Sequence, residues 1–126
     1  MIQRVGTSIV AAVVVCLFAK GDPVHADAFK RVLGSQIQAR FAGMELSDNV
    51  HWRDAFGRDG TVLSYSMGRK RTGKWHVENN ELCIDIGRDS SGCYQVWISG
   101  ANVQFRQSGM DDAVLEGILR RPVGGN

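Results

Sequence analysis

The sequence predicts a mainly β domain, a small antiparallel up-and-down barrel, lipocalin-like or a half-barrel, with a short N-terminal helix. Three observations lead there. From Met44 onward the chain breaks into short runs rich in β-branched and aromatic residues, spaced at about 8 to 12 residues. Gly, Asn, Asp and Ser separate the runs, and these residues tolerate the left-handed backbone that tight turns require. Within the runs apolar residues recur with period two, so each strand presents one apolar face.

Ahead of this pattern lies a segment of a different kind. Met1 to Arg4 carry a positive charge, and Val5 to Ala19 follow as an almost wholly apolar run. Lys20 to Pro23 break it, and Val24-His25-Ala26 place acceptable residues at the positions a signal peptidase inspects. Residues 1–26 are therefore expected to be a cleaved secretory signal peptide and residues 27–126 a single barrel domain. The apolar run is shorter than the roughly 18 to 20 residues of a membrane anchor. Cys16 lacks small residues before it at a cleavage point, which argues against a lipid-modified cysteine and places it in the discarded segment.

The expected working protein is then periplasmic or secreted, with about 100 residues and room for one core. Cleavage removes Arg4, Lys20 and Asp22 and leaves a chain close to neutral, without the basic excess of a nucleic-acid or anionic-membrane binder. No membrane span remains after cleavage. Cys83 and Cys93 remain, and in an oxidising compartment an even number of thiols predicts a disulfide. A metal site at these cysteines would need further Cys or His in register, and only His51 and His76 are left. No metal or cofactor is expected.

Along the mature chain, Ala28 to Leu33 is weakly helical. Ser35 and Gln38 have the spacing of a capping box for a short amphipathic helix that buries Ile37 and Phe41 and stops at Gly43. Such a helix would plug or cover one end of a barrel. Strands are expected near 44–47, 50–56, 61–67, 74–78, 82–86, 93–98, 103–106 and 114–120. Asp59-Gly60, Asn79-Asn80, the segment 89–92 and Gly100 to Asn102 mark turns. Leu82, Ile84 and Ile86 then share a face with Tyr94, Val96 and Ile98, joined by Trp75, Val77, Val103, Phe105, Trp52 and Phe56. A closed or nearly closed barrel buries this set without leaving open sheet edges. A hairpin turning at Arg88 sets Cys83 opposite Cys93 and Asp85 opposite Ser91, with both thiols on the face away from the apolar set.

The order His51-Trp52, Asp59-Gly60, Gly73-Lys74-Trp75, Leu82-Cys83 and Gly92-Cys93-Tyr94 resembles a group of small exported bacterial proteins of unknown function. The resemblance runs from about Leu33 to Leu119 and implies an exported single domain with a small barrel fold. It implies no catalytic residue.

Candidate sites are few. Arg69, Lys70, Arg71 and Lys74 form the one local cluster of positive charge, placed in the connection between the third and fourth expected strands, where an anion or an acidic partner surface would bind. Trp97 alternates away from the apolar set, which fits either a partner contact or packing under the N-terminal helix. His51 and His76 alternate outward from Trp52 and Trp75. The function that fits best is a non-enzymatic exported binding module for an unknown protein or small ligand, acting through the barrel loops or an end of the barrel. The alternative is a small envelope or secreted enzyme that pairs His51 or His76 with a carboxylate such as Asp54 or Glu78. Protein recovered from the periplasm or the medium should begin at Asp27; an intact mass that includes residues 1–26 would refute the cleavage assignment.

Overall fold

The alternation that begins at Met44 resolves into a run of antiparallel neighbours in a computed structural model, which describes Gly6, Ala12, Val13 and residues 28–88 and 91–122. The signal segment and its cleavage point at Ala26 lie outside the described residues. So do Asp89 and Ser90.

A first short strand, β1 (Lys30–Val32), precedes the helix α1 (Gly34–Phe41). The strands β2 (Met44–Ser47), β3 (Trp52–Phe56), β4 (Thr61–Ser66), β5 (Arg69–Glu78), β6 (Glu81–Asp85), β7 (Gly92–Ser99), β8 (Asn102–Arg106) and β9 (Ala113–Arg120) follow. Each of β2 to β8 pairs with the next, and β9 returns to pair with β2, Leu46 facing Leu119. The eight strands form a closed up-and-down barrel, so the half-barrel is excluded. Closure removes the exposed edges that a sheet this size would otherwise present. β6 covers only the first part of one edge of β7, through residues 92–94, and β1 covers the rest of that edge, through residues 96–98.

Three local expectations change. The segment 28–33 supplies a strand rather than helix, because Val32 gains a partner in Val96 and buries its side chain in the core. The capping box does not form: Leu33 occupies the N-cap position, with no side-chain cap. Burial of Ile37 and Phe41 holds the helix instead, since a stretch this short draws its stability from packing. Finally, Arg69 to Lys74 is not a loop. Met67 and Gly68, both at positive φ, turn the chain in two residues, and β5 begins at once, with Arg69 opposite Ser66 and Arg71 opposite Ser64.

The turns sort to the two ends of the barrel. At one end the connections are 57–60, Asn79-Asn80 and Gly100-Ala101, and α1 lies across it with Ile37 and Phe41 fully buried. The Phe41 ring meets Phe56 edge-on at 5.2 Å and Phe105 at 6.1 Å. Phe56 in turn meets Trp75 edge-on at 5.5 Å, while Trp75 Nε1 donates to the Gly57 carbonyl at 2.9 Å. Leu46, Val62, Leu82, Val96 and Val103 complete this floor without solvent exposure. At the other end, between the connections 48–51, 67–68, 86–91 and 107–112, no helix among the described residues closes the barrel.

The expected inward set from Trp52 to Phe105 is the observed core or packs against it. Cys83 faces Cys93 across β6 and β7 and is bonded to it, on the outer face. Ser91 Oγ donates to Asp85 Oδ1 at 2.9 Å, in keeping with the hairpin centred on Arg88. Changing Cys83 and Cys93 together to Ser should lower stability by about 2–3 kcal/mol, chiefly by freeing the unfolded chain, and leave the β-rich circular dichroism spectrum intact. Equal denaturant midpoints for the oxidised protein and the double variant would contradict this.

Candidate functional site

Side chains fill the helix end of the barrel, but toward the open end the inward positions leave a cavity of about 400 Å³. Its chemistry follows from the rows of paired residues. On β3, Trp52, Asp54 and Phe56 point inward, because strand alternation puts them on one face with the buried Phe56 as the deepest. Their partners on β4 are Ser66, Ser64 and Val62. One wall of the cup is therefore polar, carrying Asp54, Ser64 and Ser66. The rest is apolar apart from Gln107 beyond β8: Ile84 lies on β6 and Ile86 just after it, Tyr94 lies flat against Phe105 with centroids 5.5 Å apart and planes 9° from parallel, and Val114 and Leu115 stand beside them.

Small residues make space for the large ones. A Cβ at Gly117 would come within 3.0 Å of the Trp52 ring and 3.3 Å of Leu46, so glycine on β9 lets Trp52 lean across the barrel. Trp52 is set at the mouth by the turn before it. Asp48 accepts hydrogen bonds from the backbone N–H groups of Val50, His51 and Trp52 at 2.9, 2.7 and 3.0 Å, and His51 Nδ1 lies 2.8 Å from its other oxygen. Burial works against the Asp48 charge, but these bonds outweigh it and hold the carboxyl well below its ordinary range.

Asp54 is the opposite case. Burial pushes its carboxyl above the ordinary carboxylate range, and a hydrogen bond with Ser64 only partly offsets that. Among the described residues no Lys, Arg or His forms an ion pair with it. The sequence placed Asp54 only as a prospective partner for a histidine, yet the signal was present: a charged residue alternating between Trp52 and Phe56, both assigned inward.

The other candidates lie outside the cup. His51 and His76 are exposed, as their alternation predicts, with His76 Nε2 3.1 Å from Glu78 Oε2. Neither histidine lines the cup beside Asp54. His76, Glu78 and Cys83 come within 4.8 Å of one another, but Cys83 is committed to the disulfide. Trp97 is on the outer surface and half-buried; the Arg106 guanidinium lies 4.2 Å over its ring, and its Nε1 donates to Gln95 at 3.2 Å. Arg69, Lys70, Arg71 and Lys74 are all exposed along β5. Register puts Lys70 and Lys74 on the outer face, and Arg69 and Arg71 on the inner face above the cup, opposite Ser66 and Ser64.

No known family model, curated protein or solved structure matches this chain. Among the described residues no helix is long and apolar enough to cross a membrane.

A stability test follows from Asp54. With its folded pKa raised above the unfolded value, the folded state holds the proton more tightly; the associated stability is present at low pH and lost as pH rises through the folded pKa. Asp54→Asn removes that loss, so the variant should show a higher urea midpoint than the wild type at pH 7, with the gap closing as pH falls toward 4. A midpoint at pH 7 equal to or below the wild type would refute the assignment.

Proposed function

We propose that this protein is an exported binding module that takes a small ligand with an apolar body into the open end of its barrel. The carrying observation is the cup itself: about 400 Å³, open at one end and floored by packed aromatics, with largely apolar walls and a few polar groups, most of them on the wall formed by β3 and β4. Ligand sites have this composition and size, since apolar walls supply affinity and a few polar groups fix orientation. Export, a periplasmic or secreted location, and kinship with the small exported group that shares the Gly73-Lys74-Trp75 and Gly92-Cys93-Tyr94 landmarks belong to the same proposal. They rest on the leader-like segment before Asp27 and on the disulfide Cys83–Cys93.

Binding is favoured over histidine–carboxylate catalysis by the separation of the parts. The carboxylate that lines the cup is Asp54, whereas His51 and His76 pair with Asp48 and Glu78 at exposed positions. The test uses N-phenyl-1-naphthylamine, an uncharged fluorophore that brightens in apolar sites. The wild-type protein should bind it saturably. Leu115→Trp, which adds bulk to the cup wall, should weaken that binding by tenfold or more, about 1.4 kcal/mol, with an unchanged circular dichroism spectrum. Absence of saturable binding, or equal binding by the folded variant, would refute the proposal.

A further inference from the structure

Among the described residues Asp54 is the one charged side chain lining the cup, and its surroundings bear on the ligand's own charge. The carboxyl sits partway down the polar wall, with Ser64 beside it and the Trp52 ring above it on the same strand face. Across the cup stand Tyr94, Phe105 and Ile84, none of which offers a formal charge. Gln107 beyond β8 and Val114 and Leu115 from β9 also line it, all uncharged. Two cations share the inner face, Arg69 and Arg71 of β5, and both stay exposed. Arg71 occupies the row of Ser64 and Asp54, yet no ion pair joins it to Asp54. The protein has thus taken a carboxylate partly out of water without giving it a counter-charge. That arrangement is costly in the free protein, and it becomes favourable when an entering group supplies the opposite charge and donates hydrogen bonds.

We propose that the ligand is a small organic cation, an amine carried on an aromatic or aliphatic body, whose ammonium group pairs with Asp54 while the body lies among Trp52, Tyr94 and Phe105. This inference rests on the cup being the binding site. The aromatic faces suit the same ligand twice, because they bury an apolar body and their negative quadrupoles favour a nearby cation. An anion meets the reverse: it would be drawn by Arg71 at the rim but repelled by Asp54 on entering the cup. Arg71 thus selects against cations weakly, from solvent, and Asp54 selects for them at shorter range and with less screening.

The experiment compares three compounds with one phenyl body and different heads: 2-phenylethylamine, 2-phenylethanol and 3-phenylpropionate, titrated by calorimetry at pH 7 into the oxidised protein. N-phenyl-1-naphthylamine serves as a control for the cup. The amine should bind at least tenfold more tightly than the alcohol, with the acid weakest. Asp54→Asn should bring the amine down to the level of the alcohol, and Arg71→Ala should strengthen amine binding by about 2- to 5-fold as a nearby like charge is removed. Equal affinity for amine and alcohol, an amine preference that survives Asp54→Asn, or tightest binding by the acid would overturn the cation assignment. If the naphthylamine still binds in those cases, the cup stands as the site and only the ligand's charge is wrong. If neither the naphthylamine nor any phenyl compound binds, the cup reading and this inference fall together.

Discussion

The pairing of β9 with β2 is the constraint on which the rest of the molecule depends. Until Leu119 faces Leu46, the strands are a meander with two faces and two free edges. Closing the ring converts the period-two alternation of every strand into an inside and an outside, and it satisfies the backbone groups of both edges together. The polar wall of the cup is a consequence of closure. Asp54 and Ser64 face inward because Phe56 and Val62, on the same faces two residues away, are needed in the floor.

A chain of aromatic contacts links that floor to the cup. Phe41, brought in by α1, touches Phe56 and Phe105, and Phe105 stacks on Tyr94 in the cup wall. The helix therefore does more than cover an opening, since it sets the depth at which packing stops and the cavity begins. Among the described residues the open end has no equivalent element. In the turn around Asp48 that carboxylate accepts three hydrogen bonds from the following backbone N–H groups and so fixes Trp52 at the rim.

Much of this was legible in the residues. The strand positions, the turn at Asn79-Asn80, the inward face shared by Leu82 and Tyr94, and the opposition of Cys83 and Cys93 all follow from alternation and turn chemistry, because these are local properties. The misreadings were also physical. Arg69 to Lys74 has the composition of a loop, but the two-residue turn at Met67-Gly68 extends a strand through it, and strand pairing is indifferent to exposed charge. Residues 28–33 lack strand alternation, and only the edge of β7 left uncovered by β6 gives them a partner.

The sequence by itself determined the class of fold, the count and faces of the central strands, and the geometry of the disulfide, since each is set by residues near one another in the chain. Only the tertiary structure decided that the barrel closes, that packing stops short of one end, and that Asp54 lines the resulting space without a cationic partner among the described residues. Those properties belong to rows of residues from different strands brought level by register, and a one-dimensional pattern specifies each strand's faces without specifying which strands share a row.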